Sequence, residues 1–297
     1  MNESRSDAKA RSDPFLDQRL AQGLRLQQAR NWTGAEKAYF DVLAQAPEHA
    51  DALSMLALLR HQQGDTPAAV ALAGRAVAAR PDSPELQMNL GNLLKAQGAW
   101  EPAIECYRAA LRLRPGFADA SNNLGNALLE IGRPEEALTY YERARTANPS
   151  DALVHCNMGA ALRRLGRYDG AVASLRVAAA LSPANSLVHT NLGNALRDAG
   201  DLAGSIAAYE AALRLDPIRT EAIAGLLRRH QVNCNWHHAA ELERQMMAQQ
   251  HLASGRFNLF NFLSLTATPA QQFVAARGYT RRVSRGIRPL ALPTRRV

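Results

Sequence analysis

Residues 88–98 read MNLGNLLKAQG, and inside this apolar-periodic run Asn89-Leu90-Gly91-Asn92 places two asparagines and a glycine where a helix interior is expected. Glycine there costs about 1 kcal/mol relative to alanine, and asparagine is also unfavourable. The same four residues return at 123–126 and 191–194, with the variant NMGA at 157–160, each copy 34 residues after the last. A fixed period of that length marks an array of helix-turn-helix units that grows by stacking, so chain length is a poor guide to domain count.

With Gly91 set at position 8, six units run without a gap: 16–49, 50–83, 84–117, 118–151, 152–185 and 186–219. Position 32 is proline in all six, at Pro47, Pro81, Pro115, Pro149, Pro183 and Pro217. Position 20 is Ala35, Ala69, Ala103, Ala137 and Ala171, with Ser205 as the departure, and position 24 is Tyr39, Tyr107, Tyr141 and Tyr209. Position 15 is Gly64, Gly98, Gly132, Gly166 and Gly200, while Trp32, Trp100 and Trp236 all fall at position 17. Small residues at positions 8 and 20 let the backbones of the unit's two helices, A and B, approach where they cross. Position 24 is expected to fill the gap between repeats, the position 15 glycine to follow the end of helix A, and the proline to end helix B.

This combination resembles the tetratricopeptide repeat closely over residues 16–219. The resemblance implies an all-α fold, a right-handed α-solenoid of six helix-turn-helix repeats. Abundant alanine, 6% aromatic residues and the lack of β-branched runs agree with close-packed helices. Residues 220–252 begin a seventh unit in register, with Trp236 at position 17, then lose the closing proline and are expected to cap the last apolar face.

The formal charge of +8 belongs to one end of the chain. Residues 253–297 carry eight arginines and no acid, so residues 1–252 balance at 27 against 27. A basic stretch confined to a linker-like tail argues against nucleic acid as the main partner. Residues 1–15 alternate charges without an apolar core and read as a disordered N-terminus, neither signal peptide nor anchor. Residues 257–276 approach the length of a membrane span, but Asn258, Asn261, Pro269, Gln271 and Gln272 interrupt them, so no membrane partner is expected. Cys106, Cys156 and Cys234 stand singly, which fits reduced thiols in a cytoplasmic protein.

Beyond the repeats, Cys234-Asn235-Trp236 followed by NLFNFLSLTATPAQQFVAARGYTRRV is similar to the junction in the O-linked N-acetylglucosamine transferase (SPINDLY-like) family. In that family a tetratricopeptide array runs into a two-lobed catalytic domain that binds a nucleotide sugar. The sequence here reaches Val297 with no glycine-rich phosphate loop and no strand-helix alternation, so no catalytic residue and no cofactor is carried over. The resemblance implies a member without its catalytic half, either the substrate-recognition arm of a longer protein glycosyltransferase or a repeat protein that works by binding alone. The apolar residues Phe257, Leu259, Phe260, Phe262 and Leu263 would then form an exposed patch.

The asparagines at positions 6 and 9 are the strongest functional signal. Three residues turn a helix through about 300°, which leaves the two side chains on one face. Asn89, Asn123, Asn157 and Asn191 would form one rung per repeat, flanked by Asn92, Asn126 and Asn194, along a concave groove lined by the A helices. The glycosyltransferase resemblance implies a peptide-binding ladder, so the expected partners are protein or peptide segments. The plainer alternative is that these amides only bond neighbouring helices. Ala21 and Met55 at position 6 place the ladder from the third repeat onward. Glu85, Asp119, Leu153 and Leu187 at position 2 argue against the carboxylate clamp of chaperone-tail receptors. Cys234, His237 and His238 lack a fourth metal ligand at recognisable spacing, His155 and His189 at position 4 read as packing residues, and Glu135 and Glu136 suit a helix start.

Overall fold

The computed structural model describes residues 14–232, and within them every regular element is an α-helix. In chain order these are α1 (Pro14–Gln28), α2 (Trp32–Gln45), α3 (Ala50–Gln62), α4 (Thr66–Ala79), α5 (Pro84–Ala96), α6 (Trp100–Leu113) and α7 (Ala118–Glu130). They are followed by α8 (Pro134–Ala147), α9 (Ala152–Arg164), α10 (Tyr168–Leu181), α11 (Ser186–Asp198), α12 (Leu202–Leu215) and α13 (Thr220–Val232). Odd-numbered helices are the A helices and even-numbered ones the B helices, so the architecture is the α-solenoid class of successive helix pairs. The described residues fall into two compact units, divided between Asn157 and Met158. The cap expected after α13, Trp236, the Cys234-His237-His238 cluster, the Phe257–Leu263 patch and the basic tail lie outside the described residues.

The register read from the sequence sets nearly every helix boundary. α1 is the exception: it begins at Pro14, so Pro14 and Phe15, read as part of a disordered N-terminus, form its first turn. Proline suits that position because its missing N–H would be unpaired there anyway. Each B helix ends two residues before the proline at position 32. Proline drives the residue before it out of the helical region, and Ala46, Arg80, Arg114, Asn148, Ser182 and Asp216 all leave it, with φ between −133° and −142°. The turn from A to B is equally uniform. Gly64, Gly98, Gly132, Gly166 and Gly200 have φ of 71° to 89°, and the residue after each donates its N–H back across the turn, as Arg133 does to the Leu128 carbonyl at 2.9 Å. That six-to-one bond closes the end of helix A. In the first repeat the place is held by Arg30 at φ 58°, a left-handed backbone that a side chain strains.

Inside each repeat the decisive contact joins positions 8 and 24. A Cβ placed on Gly91 would stand 2.7 Å from the Tyr107 ring, on Gly125 2.5 Å from Tyr141, and on Gly193 2.7 Å from Tyr209. The rings therefore lie directly on the backbone of their own A helix. They also fill the space between repeats, as expected of position 24: Tyr209 reaches Gly225 of the seventh unit, and Tyr39 packs with Ala52, Leu56 and Leu59 of the second repeat. Where tyrosine is absent, the second repeat changes both members, to Ala57 with Ala73, while the fifth keeps Gly159, on which a Cβ would stand 2.5 Å from Leu175. Position 20 is fully buried in all six repeats, and Ser205 accommodates its hydroxyl by donating to the Leu202 carbonyl at 2.8 Å.

Two substitutions check these accounts. Gly125→Ala should lower stability by about 1–3 kcal/mol through overpacking against Tyr141, even though alanine is the better helix former. Arg30→Gly should raise the melting temperature, because relief of left-handed strain of about 1–2 kcal/mol exceeds the added backbone entropy. Denaturant titration of the full chain reads the first and a thermal melt the second.

Candidate peptide-binding surface

A tyrosine buried at position 24 brings a hydroxyl inside with its ring, and that hydroxyl needs an acceptor. The asparagine at position 9 supplies it. Tyr107 donates to Asn92 Oδ1, Tyr141 to Asn126 Oδ1 and Tyr209 to Asn194 Oδ1, each at 2.8 Å. In the first repeat position 9 is Leu24, and Tyr39 instead donates to Gln27 Oε1 one turn further along, at 2.7 Å. The second and fifth repeats, with Ala73 and Leu175 at position 24, have Leu58 and Ala160 at position 9. Position 9 is thus asparagine only in repeats whose position 24 is tyrosine. That covariation is present in the sequence, and it is the signal that pairs these residues.

The position 6 asparagines reach back to the preceding repeat. In the first compact unit Asn123 Nδ2 donates to Asn92 Oδ1 at 3.1 Å, Asn157 Nδ2 to Asn122 Oδ1 at 2.9 Å, and Asn89 Nδ2 to Ser54 Oγ at 3.5 Å. Ser54 and Asn122 both stand at position 5, and where that position is Met88 the bond goes to Asn92 instead. The structure therefore brings Asn92 and Asn123 together directly. Asn89, Asn126 and Asn157 stand in the same register, each on its own partner. All of them are half-buried. Among buried side-chain nitrogens and oxygens of the described residues, Arg219 Nε is the one lacking a partner. The amide atoms not engaged in the bonds above, Nδ2 of Asn92 and Asn126 and Oδ1 of Asn123 and Asn157, accordingly reach solvent.

In the second unit Asn191 and Asn194 both lie half-buried on α11. There Asn194 Oδ1 also accepts from Arg197 Nη1 at 3.3 Å, and Asp198 is held by Arg163 Nε at 2.7 Å and Arg197 Nε at 2.9 Å. Arg163, Arg197 and Asp198, at positions 12 and 13, extend the polar face beyond the asparagines and were not singled out from the sequence. A depression of about 400 Å³ beside them is lined by Gly166 and Arg167 of the turn, the first three residues of α10, Asp198 and Ala199. Glu85, one of the position 2 acids that argued against a carboxylate clamp, is engaged by Arg114, and Asp51 at the same position of the second repeat is engaged by Arg80 at 2.6 Å. His155 and His189 each hydrogen-bond through Nε2 to a proline carbonyl, of Pro149 at 3.0 Å and of Pro183 at 2.9 Å, so both rings fasten the start of an A helix. Among the described residues no group of three or more His, Cys, Asp or Glu is placed to hold a metal ion, and no helix is long and apolar enough to cross a membrane.

Burial disfavours the phenolate. It pushes the Tyr39 hydroxyl up to about 12 and the Tyr107 hydroxyl higher still, well above the ordinary phenol value. The same desolvation raises the Cys106 thiol, with the neighbouring Glu105 charge adding to it.

The tetratricopeptide repeat family model matches residues 20–84, 88–152 and 156–217, and a second tetratricopeptide model matches 60–109. The chain belongs to the tetratricopeptide repeat family. No curated protein matches it. Solved structures sharing the tetratricopeptide fold include PilW, a widely conserved type IV pilus biogenesis factor, at 20% identity and TM-score 0.64 over 69% of this chain and 94% of that one. Another is pilF of Pseudomonas aeruginosa, at 22% and 0.62 over 70% and 95%. YrrB, described as a tetratricopeptide protein with an unusual peptide-binding site, aligns at 20% and 0.53 over 64% and 97%.

The tyrosine shifts make a pH prediction. The folded state holds its phenol protons above the unfolded value of 10, so their contribution is fully present below pH 10 and is lost as pH rises towards 12. Thermal melts should show stability falling steeply over that window. The Tyr39→Phe/Tyr107→Phe variant, with neither phenol, should lose less of its own stability across it.

Proposed function

We propose that this chain is a protein-interaction module that binds extended polypeptide segments along its A helices through Asn89, Asn92, Asn123, Asn126, Asn157, Asn191 and Asn194. The observation that carries the reading is the set of half-buried amides in register whose outer atoms, both N–H and C=O, reach solvent in the first unit. A polypeptide backbone offers the complementary acceptor and donor at every residue, whatever its side chains. Neighbouring packed helices stand roughly 8–10 Å apart and an extended chain advances about 3.3 Å per residue, so one repeat serves about three ligand residues. In the first unit the bonds that Asn92, Asn123, Asn126 and Asn157 make to neighbouring helices do not compete with this role, because each engages only one end of the amide. Membership of the tetratricopeptide family, and the likeness in fold to a structure described as having a peptide-binding site, support the reading.

An array of overlapping twelve-residue peptides probed with the full chain tests it. Binding should tolerate changes of side chain and vanish where proline or N-methylated residues remove backbone donors. The quadruple variant Asn89→Ala/Asn123→Ala/Asn157→Ala/Asn191→Ala should lose at least tenfold in affinity. Its melting temperature should fall by some degrees, since each lost hydrogen bond is worth about 0.5–1.5 kcal/mol and the gain in helix propensity returns only part of it, so affinity is read at a temperature where circular dichroism shows both proteins fully folded. No binding to any peptide, or undiminished binding by the variant, refutes the reading.

A second reading is favoured by one observation, the CNW turn and the segment after it, which lie outside the described residues. On it the repeats are the substrate-recognition arm of a protein O-linked N-acetylglucosamine transferase. The arm would bind acceptor polypeptides as above and, on its own, transfer no sugar from UDP-N-acetylglucosamine. Turnover above background by this chain alone would refute it.

A further inference from the structure

A buried tyrosine hydroxyl in its protonated form must donate, and in an asparagine side chain only Oδ1 can accept. Tyr107 and Tyr141, both fully buried, therefore turn the oxygens of Asn92 and Asn126 inward and leave their Nδ2 hydrogens facing out. Asn92 Oδ1 also takes Nδ2 of Asn123, which turns that amide the opposite way and leaves its oxygen facing out. The sequence Tyr107 hydroxyl, Asn92 oxygen, Asn123 nitrogen is a relay that converts one buried proton into an outward donor at position 9 and an outward acceptor at position 6. Without the tyrosine, the Asn92 and Asn126 amides could rotate by half a turn and present either end.

We propose that the tyrosine at position 24 is a positioning residue for ligand recognition. Through Asn92 and Asn126 it dictates that position 9 reads a carbonyl of a bound polypeptide while the outward oxygen of Asn123 at position 6 reads an N–H. This rests on the polypeptide-binding reading above and adds to it a polarity: the two asparagines of a repeat are not interchangeable. The repeat pattern agrees, since an asparagine at position 9 never occurs without the tyrosine that orients it. Position 6 carries Asn157 in the fifth repeat, where position 24 is Leu175, because its own orientation is set from the preceding repeat by Asn122.

The test uses the full chain and two independent readouts. The first needs no ligand. In side-chain amide spectra, the Asn126 hydrogens should show Overhauser contacts to water and none to the Tyr141 ring; in Tyr141→Phe, contacts to the Phe ring should appear as the amide turns. The second is fluorescence anisotropy with the strongest-binding array peptide. The double variant Asn92→Asp/Asn126→Asp keeps an acceptor for each tyrosine, so it should melt like the parent, yet it replaces outward N–H groups by oxygen and should bind roughly tenfold or more weakly. Tyr107→Phe/Tyr141→Phe should show a smaller loss, of about threefold. Undiminished binding by the Asp variant, or Overhauser contacts between the Asn126 hydrogens and the Tyr141 ring in the parent, overturns the proposal. If the spectra come out as expected but no array peptide binds the parent, the polypeptide reading has failed, and the relay remains a packing device with no part in recognition.

Discussion

An aromatic ring packed against the backbone of a neighbouring helix forces choices at several other positions. Where Tyr107, Tyr141 or Tyr209 covers its A helix, the residue beneath must lack a side chain, which accounts for Gly91, Gly125 and Gly193 despite their cost to the helix. The close approach requires small residues at position 20, and these are buried to the last atom. The ring's far end carries a hydroxyl into the interior, so an acceptor must stand at position 9, or at position 12 when position 9 is Leu24. Glycine, alanine, tyrosine and asparagine in the repeat are one interlocking solution. The Ala57–Ala73 pair, with Leu58 at position 9, is a second solution to the same constraint.

The turns make that solution repeatable. A left-handed residue after each A helix and a non-helical residue before each proline fix the path of the chain at two points per repeat with nearly constant dihedral angles. Packing within a repeat can then be copied without adjustment, and side chains 34 residues apart hold equivalent places. Because of this copying, Asn89, Asn123 and Asn157 can each bond back to the repeat before it in nearly the same way.

Function, on the reading offered here, is a by-product of how the polar groups of this interior are matched. An amide has two ends, and matching one to a buried tyrosine or a neighbouring asparagine commits the other to solvent. The surface along the A helices of the first unit is therefore a row of oriented donors and acceptors rather than a pocket shaped for one molecule. Such a surface suits a polypeptide backbone. It also departs from a charged clamp, because the acids at position 2 of the second and third repeats are occupied by arginines of their own units.

By itself the sequence determined the period, the register, the helical class and nearly every helix boundary, because glycine at position 15 and proline at position 32 act through local backbone sterics that need no partner. The family follows from the same residues. Only the tertiary structure decided which way the asparagines face, since an amide's orientation depends on groups far along the chain: Tyr107 for Asn92, Asn122 for Asn157. The covariation of positions 9 and 24 was legible in the sequence, but its meaning was not, because the hydrogen bond from the tyrosine to the asparagine joins side chains fifteen residues apart that meet only once the two helices of the repeat are packed. The start of α1 at Pro14 was missed for a related reason. The repeat register begins at residue 16, and nothing periodic marks the added turn.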